Sequence, residues 1–208
     1  MTQTSPSAKL ASLSVKPVEL GGRHVRLVPL AQDHHDDLAE AVREGDLWRL
    51  WYTSIPAPEA MRAEIDRRLA LQRAGSMLPF AVLDPADGRA VGMTTFMHID
   101  AANRRLEIGS TWVARRVQRT GLNTEAKLLL LGHAFDDLGC IAVEFRTHFH
   151  NRQSRQAIER LGAKPDGVLR SHQILPDGSL RDTCVYSIIA CEWPAVRRGL
   201  RWRLDRMN

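Results

Sequence analysis

The feature that most constrains the fold of this chain is a glycine turn, Gln118 to Ala126 (QRTGLNTEA), between a strand pattern and a helix pattern. The preceding residues 104–113 (RRLEIGSTWV) alternate as a β-strand does, and the following residues 127–138 (KLLLLGHAFDDL) are apolar at helical spacing. A turn from a strand into a helix leaves backbone N–H groups unpaired at the positive end of the helix dipole. Because such N–H groups bind phosphate, the pattern predicts a phosphate or pyrophosphate site.

A second strand–helix junction follows along the chain. Residues 141–149 form an apolar strand pattern, and they lead into Asn151 to Ala163 (NRQSRQAIERLGA), which has helical spacing. This block carries an asparagine, a serine three residues later, and a closing Leu-Gly-Ala. The two junctions together indicate a fold more specifically than either junction does alone.

These two blocks, in this order, resemble the GNAT acyl-CoA N-acyltransferases over residues 18–190. The pyrophosphate loop of that family reads Gln/Arg-x-x-Gly-x-Gly/Ala. Gln118 and Gly121 match it, whereas Asn123 departs from it at the last position. The continuation into Thr-Glu-Ala is similar to the RimJ/RimL branch of ribosomal-protein N-acetyltransferases.

The other patterns agree with the element order that the resemblance implies, β-α-α-β-β-β-α-β-α-β-β. The fold class is then α/β (α+β): a single GNAT domain with a mixed, mostly antiparallel central sheet of about seven strands, flanked by helices. We expect residues 1–17 to be a flexible lead-in, 18–190 the acetyltransferase domain, and 191–208 a basic C-terminal helix packed on it. The remaining elements are predicted as strands at 23–30, 79–83 and 90–99, helices at 31–44 and 59–73, a short aromatic segment at 46–52, and a hairpin of 167–175 with 180–189.

Composition limits the function classes. A chain of 208 residues with 44% hydrophobic and 25% charged residues is typical of one globular domain. Its longest apolar cluster is far shorter than a membrane helix, and its N-terminus lacks the apolar core of a signal peptide, so we expect no membrane association. Three cysteines without metal-ligand spacing, two of them (Cys140 and Cys184) in apolar strand patterns, indicate buried thiols and a reducing, cytoplasmic location.

The basic character of the chain is concentrated at its end. Residues 192–208 contain five arginines against Glu192 and Asp205, a net charge of +3 within a total of +5. One interpretation is a helix that contacts RNA, a ribosome or an acidic partner. The interpretation that we favour is a solvated helix held to the body by Trp193 and Trp202, because no interleaving of aromatic and basic residues typical of RNA-binding sheets occurs elsewhere. We therefore do not expect nucleic acid as a partner.

The resemblance implies acetyl-CoA as co-substrate, no metal, and direct transfer to a primary amine in a ternary complex. The acceptor would be a protein N-terminus or a small-molecule amine. Direct attack on a thioester needs no protein nucleophile, but the amine must lose a proton and the leaving thiolate needs one. An alternative is an acyl-CoA-binding regulatory or ribosome-associated module with little turnover. The sequence does not indicate the oligomeric state, and a homodimer is an expectation from the family alone.

Two residues are candidates for the proton transfers. Glu107 is the candidate base, acting directly or through water, since a catalytic glutamate occupies the corresponding strand in histone-type members of the family. The alternative is a strand glutamate paired with Arg104 or Arg105. Ser154 is the candidate acid for the thiolate by its resemblance to the RimL-type serine, and the alternative is a hydrogen bond within the first turn of its helix. Tyr186 is a weaker candidate acid that we expect to lie in the core or the pocket wall.

The resemblance also assigns residues to the two ligands. Asn151 is a helix cap, a pantetheine contact, or both. Aromatic residues near the first helices line an acceptor cleft or pack in the core, and His148 with His150 lacks the third ligand that a metal site requires. For the acetyl-CoA contacts we expect Thr111, Trp112, Val113, Gln118, Arg119, Thr120, Gly121, Leu122, Asn123, Thr124, Asn151 and Ser154. For the acceptor we expect Trp48, Trp51, Tyr52 and Trp112.

Overall fold

The computed structural model describes residues 13–207. They form one eight-stranded sheet with the strand order β1-β2-β3-β4-β5-β6-β8-β7, in which β5 and β6 are parallel and all other neighbours are antiparallel. The strands are β1 Leu20–Gly21, β2 Arg26–Pro29, β3 Met77–Leu83, β4 Ala90–Asp100, β5 Arg105–Val113, β6 Ala142–His148, β7 Lys164–Ile174 and β8 Leu180–Ile189. The helices are α1 His35–Arg43, α2 Met61–Arg73, α3 Gly121–Gly132, α4 Arg152–Leu161 and α5 Trp193–Asp205.

The predicted fold class and order of elements are confirmed, with one strand more than expected. The additional strand is β1, whose two residues pair with the start of β2. It is too short to produce a periodic pattern, so the alternation of side chains could not reveal it. The first twelve residues of the expected lead-in lie outside the described part of the chain.

The sheet is covered on both faces by helices. Thr94 and Thr95 are neighbours on β4 and therefore point to opposite faces. Arg68 of α2 donates to the Thr95 hydroxyl, whereas Lys127 of α3 donates to the Thr94 hydroxyl. Hence α2 and α3 pack on opposite sides of the sheet.

The parallel strands β5 and β6 separate soon after they meet. They pair only over residues 105–107 with 142–144, although β5 continues to Val113 and β6 to His148. Near the same place β5 carries a bulge, where Ser110 has a positive φ of 47° and the register with β4 shifts. The two strands therefore form a wedge whose inner edges have unpaired backbone groups.

The C-terminal helix α5 packs through only one of the two predicted tryptophans. Trp193 is buried, stacks on Phe135 with 5.5 Å between ring centroids, and donates its indole N–H to Asp136. Trp202 was expected to help hold the helix, but its side chain is 59% exposed and lies under the guanidinium of Arg206. That expectation is wrong, because Leu200 and Leu204 supply the rest of the buried face of α5.

Within residues 13–207 there is no helix with the length and apolar character needed to cross a membrane.

Candidate functional site

The glycine turn forms the N-terminus of α3, as its sequence predicted. Thr120 is the N-cap: its hydroxyl accepts a hydrogen bond from the Leu122 N–H at 3.2 Å and donates to the Val117 carbonyl at 2.8 Å. Arg119, just before it, has a left-handed backbone with φ of 62°. In the described part of the chain no acceptor is found for the N–H groups of Arg119, Thr120 and Gly121. The turn therefore has the open donors and the dipole that an anionic pyrophosphate requires.

Two glycines and one glutamate hold this turn against the N-terminal hairpin. Glu125 accepts hydrogen bonds from the backbone N–H groups of Arg23, at 3.0 Å, and His24. A Cβ at Gly22 would lie 2.3 Å from the Glu125 carboxyl carbon, and a Cβ at Gly121 would lie 3.0 Å from the His24 ring. The glutamate of the Thr-Glu-Ala continuation thus anchors the loop to β1 and β2, a structural role that the sequence did not reveal.

Of the loop side chains, Gln118 already has a hydrogen-bond partner within the protein. Its amide donates to the Val113 carbonyl at 3.2 Å and so ties the loop to the end of β5. The Asn123 side-chain oxygen is buried and has no partner among residues 13–207. Asn123 stands where the family motif has glycine or alanine, so this position carries a polar side chain that the motif lacks.

The bulge of β5 is held from both faces by buried basic side chains. On one face, Arg68 of α2 pairs with Glu64 at 2.7 Å and reaches the Ser110 carbonyl at 3.5 Å. On the other face, the Lys127 amine donates to the Thr111 hydroxyl at 2.6 Å. The backbone of Thr111, Trp112 and Val113, expected to pair with pantetheine, thus follows directly on a rigidly held bulge.

Among the residues that the structure describes, no carboxylate balances the charge of Lys127. It lies in the core with its amine between the hydroxyls of Thr94 and Thr111, and burial lowers its pKa from 10.5 to about 7. A buried ammonium without a counter-charge is costly, so the neutral amine is favoured when the protein is folded. In the sequence, a single lysine within the apolar residues 126–131 could have indicated a buried amine, but the sequence patterns used above did not identify it.

Glu107 is buried at the point where β5 and β6 diverge. Its carboxylate accepts from His98 Nδ1 at 2.8 Å and lies 3.5 Å from Arg146 Nε. The expected alternative partners, Arg104 and Arg105, are wrong, because Arg105 pairs instead with Glu144 on the neighbouring strand. A cavity of about 150 Å³ opens beside Glu107. A buried carboxylate beside a cavity and a histidine has the surroundings of a base, and its role as the base stays a prediction.

Asn151 and Ser154 lie together at the start of α4, next to the open end of the wedge. The Asn151 side chain accepts from the Ser154 backbone N–H at 3.0 Å, so Asn151 is the helix cap. The Ser154 hydroxyl makes no hydrogen bond within the described residues and is not needed for the cap. Ser154 therefore contributes to the first turn of α4 only through its backbone N–H, and its hydroxyl remains available as a donor.

Tyr186 belongs to the core, as expected. Its hydroxyl donates to Glu159 at 2.9 Å and accepts from Arg155 Nε at 3.1 Å, both on α4. Burial raises the pKa of this tyrosine. Both partners hold the hydroxyl on the α4 face, away from the face that carries Glu107, so it is poorly placed to act as an acid.

Two of the four predicted acceptor aromatics meet the end of β6. Trp51 packs edge-on against Tyr52 and His148, with ring centroids 5.5 and 5.2 Å apart, and lies 5.7 Å from His150. We call Trp51, Tyr52, His148 and His150 the aromatic cluster. Trp51 is 59% exposed, which suits a residue that contacts a ligand.

The other two aromatics lie with the core. Trp48 packs against it under Arg49, and Trp112 is 5% exposed with its indole N–H unpartnered in the described chain. For these two residues the geometry favours the core alternative. No set of three His, Cys, Asp or Glu side chains suited to a metal ion occurs within residues 13–207.

Comparison with known proteins identifies the family of this arrangement. A family model described as an acetyltransferase (GNAT) domain matches residues 24–164. A Bacillus subtilis (strain 168) protein, provisionally named ribosomal N-acetyltransferase YdaF, is 32% identical over 107 residues, which cover 51% of this chain and 57% of that relative. The chain thus spans little more than half the length of this curated relative.

Solved structures are similar over most of the chain. A GCN5-related N-acetyltransferase from Brucella melitensis has a TM-score of 0.83 and 33% identity, covering 91% of this chain and 86% of that one. RimJ from Mycobacterium smegmatis, solved in complex with CoA-disulfide, has a TM-score of 0.75 and 25% identity, covering 90% and 95%.

Proposed function

Because the chain belongs to the GNAT acetyltransferase family, in its RimJ/RimL-like branch, we propose that it transfers the acetyl group of acetyl-CoA directly to a primary amine. The observation that carries this proposal is the wedge between β5 and β6, which opens beside the N-terminus of α3. An unpaired strand edge next to an anion-binding turn suits a ligand with an amide-containing arm and a pyrophosphate. The RimJ structure bound to CoA-disulfide supports the same class of ligand.

The residues divide between the two ends of this ligand. The open N–H groups of Arg119, Thr120 and Gly121 would bind the pyrophosphate, and the backbone of residues 111–113 would pair with the pantetheine arm. Acetyl-CoA supplies the thioester that the amine attacks. Asn151 orders the start of α4, from which the Ser154 hydroxyl would donate to the departing sulfur, and Glu107 would accept the amine proton directly or through water.

The first candidate acceptor is the N-terminus of a protein, and the second is a small amine such as a polyamine or an amino acid. The name of the Bacillus subtilis relative favours a ribosomal protein. The exposed Trp51 and its neighbours in the aromatic cluster would contact the acceptor. A cytoplasmic location, a homodimer, and residues 18–190 acting as one domain with the basic helix 191–208 packed on it stay predictions of the same proposal.

The proposal is tested by steady-state transfer against a panel of peptide N-termini and small amines, with the acetylated product measured by mass spectrometry. We expect transfer to at least one class of amine, and loss of transfer in Gly121→Asp compared with its uncharged match Gly121→Asn. Binding of CoA without transfer to any amine would instead support the alternative, an acyl-CoA-binding module with little turnover.

A further inference from the structure

On one face of the sheet, two buried N–H donors have no acceptor among residues 13–207. His148 Nε2 and Arg181 Nε are both buried without a hydrogen-bond partner in the described chain. His148 lies opposite Thr183 in the β6–β8 pairing, and Arg181 comes two residues before Thr183 on β8. Residues so placed share a face and are diagonal neighbours, about 7–8 Å apart at the backbone.

The hydrogen bonds of His148 determine which of its nitrogens carries the proton. Its Nδ1 accepts from the His150 backbone N–H at 3.1 Å, so Nδ1 has no hydrogen of its own. Burial lowers the pKa of His148, which favours the neutral ring. In that tautomer the proton is on Nε2, and the unpartnered atom is a donor that requires an acceptor.

The carboxylates near Arg181 are committed to other groups. Asp182 accepts from Arg170 Nε at 2.6 Å and from the Ser171 N–H at 2.7 Å, and Glu107 is bound by His98 and Arg146. Among residues 13–207, Arg181 has no carboxylate within ion-pair distance. Burial lowers its pKa and the charge of Glu107 offsets this only in part. A half-buried guanidinium without an anion costs stability, which natural proteins accept chiefly at binding sites.

We propose that Arg181, together with His148, binds a carboxylate of the acceptor, so that this protein prefers amines that carry a negative charge close by. This inference rests on the proposed function, because His148, one of the two donors, packs against Trp51 and belongs to the aromatic cluster that would contact the acceptor. A guanidinium is the side chain best suited to a carboxylate, which it can bind through two parallel N–H groups. The negative charge of nearby Glu107 favours a singly charged carboxylate over a phosphate.

The carboxylate could come from an acidic side chain next to a peptide N-terminus or from the α-carboxylate of a free amino acid. The first arm of the test compares two C-terminally amidated peptides, Ser-Glu-Ala and Ser-Gln-Ala, titrated into the CoA-bound protein by calorimetry. The second arm compares phenylalanine with phenylalaninamide. The peptide pair or the phenylalanine pair in which the acid form binds more tightly identifies which of the two carboxylates the site takes.

We expect wild type to bind the acid form at least about tenfold more tightly, since hydrogen bonds to a charged group contribute about 1.5–3 kcal/mol. Arg181→Met should reduce the preference to less than about twofold, and Arg181→Lys should keep part of it because the charge remains. Arg170→Met is the matched control, since it removes an exposed arginine of the neighbouring strand that is already paired with Asp182. It should leave the preference unchanged.

Melting temperatures report folding in the same samples. Because Arg181 has no hydrogen-bond or ion-pair partner among residues 13–207, Arg181→Met should melt at or above the wild-type temperature. Equal binding of acid and amide forms by wild type, in both pairs, would overturn the carboxylate site, as would a preference that persists in Arg181→Met. Transfer to amines without any acid preference would overturn this inference alone. Binding of the acid form without transfer to any amine would overturn the proposed function and leave the carboxylate site standing.

Discussion

Replacing Lys127 by methionine should change how the stability of this protein depends on pH. The lysine amine is buried between two threonine hydroxyls, and burial alone lowers its pKa from 10.5 to about 7. Methionine is of similar length and carries no charge. The hydroxyls of Thr94 and Thr111 lie 2.8 Å apart and would still bond to each other, so the substitution leaves no new unpaired group.

The direction in which the free energy of unfolding changes with pH follows from the number of protons that each state binds. Between pH 7 and 10.5 the unfolded chain holds a proton on Lys127 that the folded protein gives up, so the free energy of unfolding rises with pH across this window. Below pH 7 both states are protonated and the folded state carries the whole cost of the buried charge. For these two pKa values the rise between pH 7 and 9.5 is about 3 kcal/mol, which is an upper limit.

The measurement is urea unfolding at pH 7 and pH 9.5, followed by circular dichroism, for wild type and Lys127→Met. Other titrating groups act equally in both proteins, so the difference between the two isolates Lys127. Relative to wild type, Lys127→Met should be more stable at pH 7 than at pH 9.5 by up to about 3 kcal/mol.

The control is Lys164→Met, which removes an exposed lysine paired with Glu192. The pairing raises the pKa of Lys164. Its contribution is therefore present throughout the window and is lost only above it, as the pH passes the raised pKa. Parallel stability curves for wild type and Lys127→Met would show that Lys127 keeps an ordinary pKa, and the account of its burial would be refuted.

Substitutions at three further positions test the cofactor and proton-transfer assignments. Gly121→Asp and Gly121→Asn crowd the His24 ring equally, so a CoA affinity at least about tenfold lower for the aspartate, measured by calorimetry, would report the negative charge at the pyrophosphate turn; equal affinities would contradict the assignment. Glu107→Gln should lower the transfer rate most at neutral pH and less at high pH, where free amine is abundant; an equal loss at every pH would make Glu107 a positioning group. Ser154→Ala should lower kcat about 100-fold with acetyl-CoA affinity nearly unchanged. Because the cap of α4 uses the Ser154 backbone and the Asn151 side chain, the melting temperature should also hold, and full activity would exclude the hydroxyl as the acid.

The fold and the position of the glycine turn that begins α3 could be predicted because their signals are local. The periods of side-chain burial in residues 104–113 and 127–138 follow from strand and helix geometry, and a glycine between them is enough to locate the turn. The groups that would contact the cofactor there are backbone N–H groups, whose direction is set by the helix itself. The two-residue strand β1 was missed because pairing, not periodicity, creates it.

The partners of side chains were harder to predict because they depend on strand register. The alternative to a catalytic Glu107 was a pairing with Arg104 or Arg105, but Arg104 lies before the start of β5 and Arg105 pairs with Glu144 on the neighbouring strand. The partners of Glu107 instead come from neighbouring strands, His98 on β4 and Arg146 on β6. Likewise Trp202 was expected to pack because it is large and apolar, whereas its position on α5 turns it to solvent.

The cofactor half and the acceptor half of the proposed site should therefore respond differently to side-chain substitutions. The cofactor half depends on backbone groups of one continuous segment, so many side chains of the loop can vary while the turn persists, as Asn123 in place of a small residue illustrates. The proposed acceptor half would be assembled from side chains far apart in the chain, Trp51, His148 and Arg181. Since the fold does not determine the substrate, acceptor preference should depend on this second set of residues. If so, exchanging Arg181 should alter which amine is used more than how well CoA is bound, and the ratio of those two effects is the quantity to measure.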